Sequence, residues 1–189
     1  MKLLFIPGFQ EDQGSRDYTA VLRVFHDYGY DPLFVDINWR RTTQYDWANQ
    51  LKAERSRVGF DAALAGFSFG AVTALMSTAS ENPSELWLFS LSPLFAENTS
   101  DWTATDKKIC GKHRLEIAAK TPFAGIASRI RCPTKLLLGK NEIAKWPEML
   151  QTFDRANNLL PNVQSRVIDG AEHDVANAAY RAAIRDMLE

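Results

Sequence analysis

Residues Ala62 to Leu75 read AALAGFSFGAVTAL. The first four residues of this stretch form a short apolar run, as expected of a strand that is buried on both faces. Its last five residues are small or apolar and continue as a helix would. Gly66 and Gly70 flank Ser68 between these halves, and glycine lets a strand and the following helix approach closely. The stretch therefore predicts a strand, a tight turn at Ser68 and a helix.

A serine at such a junction has a specific chemical meaning. In a nucleophile elbow, the pattern Gly-x-Ser-x-Gly holds the serine on a strained turn, with its oxygen presented above the sheet. The bare pattern also occurs in ordinary tight turns. Its position between a predicted strand and a predicted helix favours the catalytic interpretation, and we predict that Ser68 is a nucleophile.

Short apolar runs alternate with amphipathic stretches along the rest of the chain. Predicted strands cover residues 3–6, 33–37, 62–65, 86–91, 135–138 and 165–168, and predicted helices cover 18–28, 45–58, 70–79, 147–159 and 175–188. Thr42 and Thr43 are predicted caps of the second helix. The alternation predicts an α/β protein, a three-layer αβα sandwich with a mostly parallel sheet of about six strands. Ligands bind beyond the carboxyl ends of such strands, so the residues just after each strand are candidates.

One segment, residues 93–131, breaks this alternation. It contains several polar residues and no clear strand, and residues 112–119 predict a short helix. It is longer than the connections of about 2–6 residues that usually join a strand and a helix. Two interpretations remain open, a surface crossover helix or a small lid over the site. The 189 residues together suit a single domain, 1–189.

A serine hydroxyl needs a base within hydrogen-bond reach, and the base needs an orienting acid. Of the three histidines, His26 lies inside the first predicted helix and His113 lies in the irregular segment. Only His173 follows a strand end, on the side of the sheet where Ser68 is expected. His173 is therefore the predicted base.

The acid is predicted from the loop after the fifth strand, where Gly139-Lys140-Asn141-Glu142 places a carboxylate. Glu142 precedes His173, which gives the order serine, acid, histidine. Three carboxylates near His173 in sequence are poorly placed to reach its ring, namely Asp169, Glu172 and Asp174. Asp101 and Asp106, which follow the fourth strand, remain alternatives for the acid.

Backbone amides are expected to form an oxyanion hole, which stabilises the negative charge that develops on a carbonyl oxygen. One donor is predicted to be the amide of Phe69, directly after the nucleophile. The other is assigned to Phe9 in the loop Pro7-Gly8-Phe9-Gln10 after the first strand, with Gln10 as the fallback. Gly8 in this loop lets the backbone come close to a substrate.

Substrate-binding residues are predicted around these positions. Gly8, Gln10, Phe67 and Trp146 are the candidates, because each lies next to a predicted catalytic residue or beyond a strand end. If two or more of the aromatic residues near the site line it, an apolar acyl group is favoured over a sugar or a charged substrate. No residue pattern predicts a metal site.

Composition excludes several classes of protein. The chain is 46% hydrophobic and 24% charged, with a net charge of −1 and no long basic run, which argues against a nucleic-acid surface. Cys110 and Cys132 are expected to be reduced thiols of a cytosolic protein. The apolar run near Met1 ends at Pro7 and is too short for a signal peptide. No stretch approaches the ~18 apolar residues of a membrane span. We therefore expect a cytoplasmic protein.

The chain resembles the α/β-hydrolases over nearly its whole length, from Lys2 to the C-terminal helix. The resemblance rests on Pro7-Gly8-Phe9, Gly66-Phe67-Ser68-Phe69-Gly70, Gly139-Lys140-Asn141-Glu142 and Gly170-Ala171-Glu172-His173. It is similar to the compact, single-domain, esterase-like members, which lack the two leading antiparallel strands and a large cap. By this resemblance the six strands would lie in the order 2-1-3-4-5-6. Two departures from the family pattern are Pro7 where many members have His, and Glu142 where Asp is more common.

The resemblance and the predicted triad together imply a serine hydrolase that cleaves a small-molecule ester or thioester through an acyl-enzyme, with no cofactor. Two alternatives remain. One is a lyase or hydrolase that acts on a carbon–carbon bond with the same triad. The other is a binding module that keeps the fold without catalysis. The sequence predicts neither the acyl length nor the oligomeric state.

Overall fold

The computed structural model describes all 189 residues, and its centre is one sheet of six parallel strands. The strands are β1 (Lys2–Ile6), β2 (Asp31–Phe34), β3 (Ala63–Phe67), β4 (Leu86–Phe89), β5 (Thr134–Gly139) and β6 (Val163–Ile168). They lie in the order β2-β1-β3-β4-β5-β6, and every neighbouring pair is parallel. The predicted parallel sheet and the strand order implied by the resemblance are both confirmed.

Helices cover both faces of this sheet and complete the predicted three-layer sandwich. They are α1 (Tyr18–Asp27), α2 (Gln44–Val58), α3 (Phe69–Ser80), α4 (Ala104–Cys110), α5 (Lys112–Ala118), α6 (Phe123–Ala127), α7 (Lys140–Lys145), α8 (Pro147–Leu159) and α9 (Ala178–Leu188). Thr43, one of the two predicted caps, is the N-cap of α2. A short 3₁₀ turn, Ala96–Asn98, precedes α4. None of the helices combines the length and the apolar composition needed to cross a bilayer.

Side chains alternate between two cores because successive residues of a strand point to opposite faces. On β1, Leu4 and Ile6 join the larger core, which packs beneath α2, α3 and α8. Leu3 and Phe5 join the smaller core, which packs beneath α1 and α9. The interiors of the central strands β1, β3 and β4 are therefore apolar on both faces, as the continuous apolar runs of the sequence predict, whereas the edge strand β6 is largely exposed.

Several elements differ from the sequence prediction. β4 ends at Phe89, not at residue 91, and β6 begins at Val163, not at residue 165. β2 spans Asp31–Phe34, not residues 33–37, because it pairs only with β1, which ends at Ile6 before the turn at Pro7. The last helix begins at Ala178, not at residue 175, with Asn177 as its N-cap. The short helix α7 was not predicted, since its six residues carry no apolar periodicity.

The irregular segment, residues 93–131, folds into the 3₁₀ turn and the three short helices α4, α5 and α6. Helix α5 confirms the short helix that the sequence predicts over residues 112–119. Arg114 of α5 connects the segment to the loop after β2. Its guanidinium donates to the carbonyl of Thr42 at 2.7 Å and to the carbonyl of Trp39 at 2.5 Å. The same guanidinium donates to the Cys110 carbonyl at the end of α4, at 2.9 Å.

Candidate active site

The turn between β3 and α3 holds Ser68 in a strained conformation. Its φ of 57° lies in the left-handed region that L-residues seldom adopt. Glycines on both sides are required by close backbone contacts. A Cβ on Gly66 would lie 2.2 Å from the Gly70 carbonyl oxygen, and a Cβ on Gly70 would lie 2.3 Å from the carbonyl oxygens of Ile6 and Pro7. Strain of this kind persists only where the surrounding structure enforces it, and here it presents the Ser68 hydroxyl above the sheet.

Three side chains from three different loops form one hydrogen-bonded chain at the carboxyl edge of the sheet. The Nε2 atom of His173 lies 3.1 Å from the Oγ atom of Ser68. The Nδ1 atom of His173 lies 2.6 Å from the Oε2 atom of Glu142. Because the carboxylate accepts the Nδ1 hydrogen, Nε2 is left as an acceptor for the serine hydroxyl. The structure thus brings together the predicted nucleophile, base and acid.

Glu142 is completely buried, and its second oxygen is surrounded by donors. The Oε1 atom accepts from the Gly139 amide at 2.8 Å. The hydroxyls of Ser90 and Tyr180 lie 2.8 and 2.7 Å from the same atom, and 2.5 Å from each other. With Oε1 occupied in this way, only Oε2 faces the imidazole of His173.

The pKa of Glu142 reflects two opposing influences. Burial is the larger single influence and favours the protonated form, which raises the pKa. The hydrogen bonds from His173, Tyr180 and Ser90, together with the charge of His173, act in the other direction and hold the pKa below its ordinary value of 4.5. The buried carboxylate is therefore kept ionised beside the imidazole.

Helix α7 explains why a glutamate is suited to this position. Glu142 lies in the first turn of α7, and its side chain folds back to accept from the amide of Gly139, the N-cap residue. The same carboxylate thus caps a helix with one oxygen and orients His173 with the other.

Aromatic rings and a carbonyl contact fix the His173 loop. The ring of Phe67 packs 4.7 Å from the imidazole of His173, and the ring of Trp146 meets it edge-on at 5.5 Å. Arg16 donates to the carbonyl of His173 at 3.1 Å, and its guanidinium lies 5.1 Å from the centre of the Phe67 ring. Asp174, the next residue, forms an ion pair with Arg16 at 3.3 Å.

Arg16 also reaches the loop after β1. Its Nε atom donates to Glu11 at 2.6 Å. The other oxygen of Glu11 accepts from Tyr18 and from the amide of Gly8, the latter at 3.2 Å. A continuous set of polar contacts therefore joins the predicted oxyanion loop to the loop that carries His173.

The two predicted oxyanion donors have free amides. Neither the Phe9 amide nor the Phe69 amide donates a hydrogen bond within the protein. The rings of the two residues contact each other, with centroids 4.8 Å apart, and Trp39 and Trp47 complete the aromatic cluster. The guanidinium of Arg114 lies 4.9 Å from the centre of the Phe9 ring. This packing fixes the backbone at both predicted donors.

A cavity of about 170 Å³ opens beside Ser68 and His173. Residues of the segment 93–131 line much of it, among them Leu94, Trp102, Ile109 and Cys110, and Trp146 and Met149 line it as well. Two carboxylates, Asp106 and Glu148, also border the cavity, and no lysine or arginine lines it. The irregular segment therefore borders the site, and the cavity favours an uncharged, apolar group over an anionic one.

The other predicted site residues lie in different places. Asp101 and Asp106 do not contact His173. Asp106 accepts from the backbone of Thr103 at 2.8 Å, and Asp101 accepts from Ser100 at 3.0 Å. Gly8 and Phe67 are buried away from the cavity, and Gln10 is exposed to solvent. Of the four predicted substrate-binding residues, only Trp146 lines the cavity, and substrate contact by Gly8, Gln10 and Phe67 stays a prediction.

Four further residues take part in the site and were not predicted from the sequence, namely Arg16, Ser90, Ser92 and Tyr180. Ser90 and Ser92 could have been predicted from the sequence, because they follow the buried strand β4 and polar residues after such a strand are candidates for a site. The Oγ atom of Ser92 lies 3.2 Å from that of Ser68. Arg16 precedes α1, and Tyr180 lies within α9. Their partners in the site are evident only from the folded structure.

Solved structures with the same architecture identify the fold. Est1E from Butyrivibrio proteoclasticus has a TM-score of 0.80 at 16% identity, over 99% of this chain and 84% of that one. MGS-MChE2, an alpha/beta hydrolase enzyme from the sediment metagenome of the Mar Chica lagoon, has a TM-score of 0.74 at 21% identity, over 100% and 88%. A monoacylglycerol lipase from Paleococcus ferrophilus has a TM-score of 0.71 at 16% identity, over 99% and 93%.

These matches establish that the chain has the α/β-hydrolase fold, as its sequence motifs imply. The identities are low, and one fold hosts many reactions, so the likeness by itself carries no substrate or mechanism to this chain. No protein-family model matches the sequence, and no curated protein matches it at a significant level.

Proposed function

We propose that this chain of α/β-hydrolase fold is a serine hydrolase that cleaves an ester or thioester through an acyl-enzyme on Ser68. The observation that carries the proposal is the hydrogen-bonded chain from Ser68 through His173 to the buried carboxylate of Glu142. The solved structures of this fold include one described as a monoacylglycerol lipase, which favours ester chemistry in general.

In the proposed mechanism, Ser68 attacks the acyl carbon while His173 removes its proton at Nε2. Glu142 holds the imidazole through Nδ1 and stabilises the imidazolium that forms. The carbonyl oxygen gains negative charge and accepts from the amides of Phe9 and Phe69. His173 then gives its proton to the leaving group. In the second half of the cycle, His173 activates a water molecule that releases the acyl group from Ser68.

The cavity suggests the size of the acyl group. An apolar cavity of about 150 Å³ in another protein binds benzene, so about 170 Å³ suits a short chain or a single ring. The walls formed by Leu94, Trp102 and Met149 favour an apolar group, and Asp106 and Glu148 disfavour an anionic one. We therefore propose an uncharged, apolar acyl group of about 2–6 carbons, or one of similar bulk.

The test has two parts. The purified protein is treated with a fluorophosphonate probe, and mass spectrometry locates the adduct. Hydrolysis of p-nitrophenyl esters from acetate to decanoate is then measured for the wild type, for Ser68→Ala and for the control Ser56→Ala, whose side chain is exposed on α2. We expect labelling on Ser68, loss of activity only in Ser68→Ala, and highest activity with the short esters.

Two outcomes would reject the proposal. One is full esterase activity in Ser68→Ala, and the other is a wild type that neither reacts with the probe nor hydrolyses any activated ester or thioester. The second outcome would favour the non-catalytic binding module. The carbon–carbon bond lyase predicts turnover without a covalent acyl adduct, so an acyl group trapped on Ser68 by rapid acid quenching would exclude it.

A further inference from the structure

The chain leaves β4 through a tightly constrained turn that ends at Ser92. Ser90 begins the turn with a φ of 49°, and its amide donates to the Leu137 carbonyl at 2.8 Å. Pro93 follows Ser92 and restricts the backbone of Ser92 to extended conformations. The carbonyl of Ser92 accepts from the amide of Leu94 at 2.9 Å. Ser92 is 4% exposed, so its side chain is held in a defined position at the cavity wall.

The hydroxyl of Ser92 has one polar partner in the protein, the hydroxyl of Ser68. The direction of this hydrogen bond follows from counting protons. Ser68 has one hydroxyl hydrogen, and this hydrogen is donated to Nε2 of His173. The contact between the two serine oxygens must then use the hydrogen of Ser92, so Ser92 donates and Ser68 accepts.

We propose that Ser92 is a further catalytic residue, whose hydroxyl donates to the Ser68 oxygen and stabilises the negative charge that develops there during attack. This inference rests on the proposed function. The proposed role of Ser92 differs from that of the oxyanion amides. The amides donate to the carbonyl oxygen, whereas Ser92 donates to the attacking oxygen of Ser68. The distance of 3.2 Å is long for a hydrogen bond between hydroxyls. Such contacts often tighten in the transition state, where the acceptor is charged.

Ser92 keeps its proton throughout the step. The Ser68 proton passes to Nε2 of His173, and a lone pair of the Ser68 oxygen forms the bond to the acyl carbon. The π electron pair of the carbonyl moves to its oxygen. When this pair returns, the bond to the leaving group breaks, and the leaving group takes the proton from His173. Ser92 is a donor that assists the attack, and it is not a second base.

Replacement of Ser92 should leave the fold intact. Its hydroxyl forms no other hydrogen bond, and Ser68 keeps His173 as a partner after the change. A purely structural role therefore predicts little effect on catalysis, whereas the proposed role predicts slower attack by Ser68. The structural role and the catalytic role can be distinguished by the rate at which Ser68 becomes covalently modified.

The experiment measures the second-order rate constant for modification of Ser68 by a fluorophosphonate, and kcat/KM for p-nitrophenyl butyrate, in the full chain. The variants are Ser92→Ala, Ser92→Thr and Ser92→Val, with Ser128→Ala as a control at an exposed position of the chain. Threonine and valine have nearly the same size and differ by the hydroxyl. We expect Ser92→Ala and Ser92→Val to slow both reactions by about 10- to 100-fold, and Ser92→Thr to stay within about threefold of the wild type.

The inference is overturned if the wild type is labelled on Ser68 and Ser92→Ala is labelled equally fast or faster. It is also overturned if Ser92→Thr and Ser92→Val are impaired equally, because the hydroxyl would then be irrelevant. A wild type that is not labelled would instead reject the proposed function. Circular dichroism and urea unfolding check that each variant is folded, and the threonine–valine pair keeps the test valid if the alanine variant does not fold.

Discussion

The phenol of Tyr180 lies 2.7 Å from the carboxylate of Glu142, and neither residue is exposed to solvent. A buried carboxylate stays ionised only when donors replace the water it has lost. Tyr180 is one of these donors, and burial raises its own pKa well above the usual value, so it remains a neutral hydroxyl. The contact thus links Glu142, the proposed acid, to the C-terminal helix.

Tyr180→Phe tests this link through the pH dependence of stability. The folded-state pKa of Glu142 is lowered, so its ionisation contributes stability that is present above its ordinary pKa of 4.5 and is lost as pH falls through the folded-state value. Removal of one donor should lower the free energy of unfolding at pH 7 by about 1.5–3 kcal/mol. The difference from the wild type should shrink as the pH falls below 4.5. Urea unfolding between pH 3 and 8 measures both effects.

Tyr28→Phe is the matched control, because Tyr28 is exposed and its hydroxyl contacts only Glu189 near the chain end. Its free energy of unfolding should match that of the wild type to within about 0.5 kcal/mol at each pH. A loss in Tyr180→Phe that stays constant from pH 7 to pH 3 would show that Glu142 is not the group that Tyr180 stabilises.

Glu142→Gln tests the identity of the acid. The amide keeps the shape of the side chain but removes the charge that stabilises the imidazolium, and it can impose the wrong tautomer on His173. The equivalent change in a serine protease lowers kcat by about 10⁴-fold, so we expect a loss of about 10³- to 10⁴-fold here. Asp101→Asn is the control and should retain wild-type kcat. A comparable loss in Asp101→Asn or Asp106→Asn, measured with the same ester, would assign the acid elsewhere.

Gly66→Ala tests the close approach of β3 and α3. The added Cβ would lie 2.2 Å from the Gly70 carbonyl oxygen, and backbone on both sides would have to move. We expect a loss of about 3 kcal/mol or more in the free energy of unfolding, or no folded protein. In the control Gly125→Ala, the nearest atom is the side chain of Pro122 at 3.6 Å, so stability should be unchanged or slightly higher. Similar urea midpoints for the two variants would contradict the predicted clash.

Arg16→Met tests the connection between the oxyanion loop and the His173 loop. Methionine retains much of the apolar stem but removes the contacts with Glu11, Asp174 and the His173 carbonyl. A small displacement of a catalytic group lowers rates strongly, so we expect kcat/KM to fall about 10-fold or more. Arg23→Met, an exposed change on α1, should have wild-type kinetics. Equal kinetics in the two variants would mean that His173 is positioned without Arg16.

The sequence was sufficient to predict the parts of the fold that depend on local patterns. The turn at Ser68 is predictable from the residues around it, because small residues such as Gly66 and Gly70 are needed where a strand and a helix cross closely. The continuous apolar runs identify strands that are buried on both faces. The strand order was implied by the resemblance, and no local pattern encodes it.

The parts that were missed depend on contacts between distant residues. In the sequence, Tyr180 is only one of the apolar positions of an amphipathic helix. Its role becomes evident in the fold, where the chain after β5 places Glu142 beside it. The end of β2 is set by the length of its partner β1, which the sequence of β2 does not record. β2 lies at the edge of the sheet and is hydrogen-bonded only to β1. Its observed bounds therefore differ from the predicted ones because β1 alone determines where it ends.

The hydrogen bond from Arg16 to the carbonyl of His173 joins residues 157 positions apart. A contact of such long sequence separation costs more chain entropy to close than the local contacts within a helix, so we expect it to form after the helices. During refolding from urea, the far-ultraviolet signal of the helices should therefore recover before the proposed esterase activity does. Recovery of activity would then report when the loops after β1 and β6 come together.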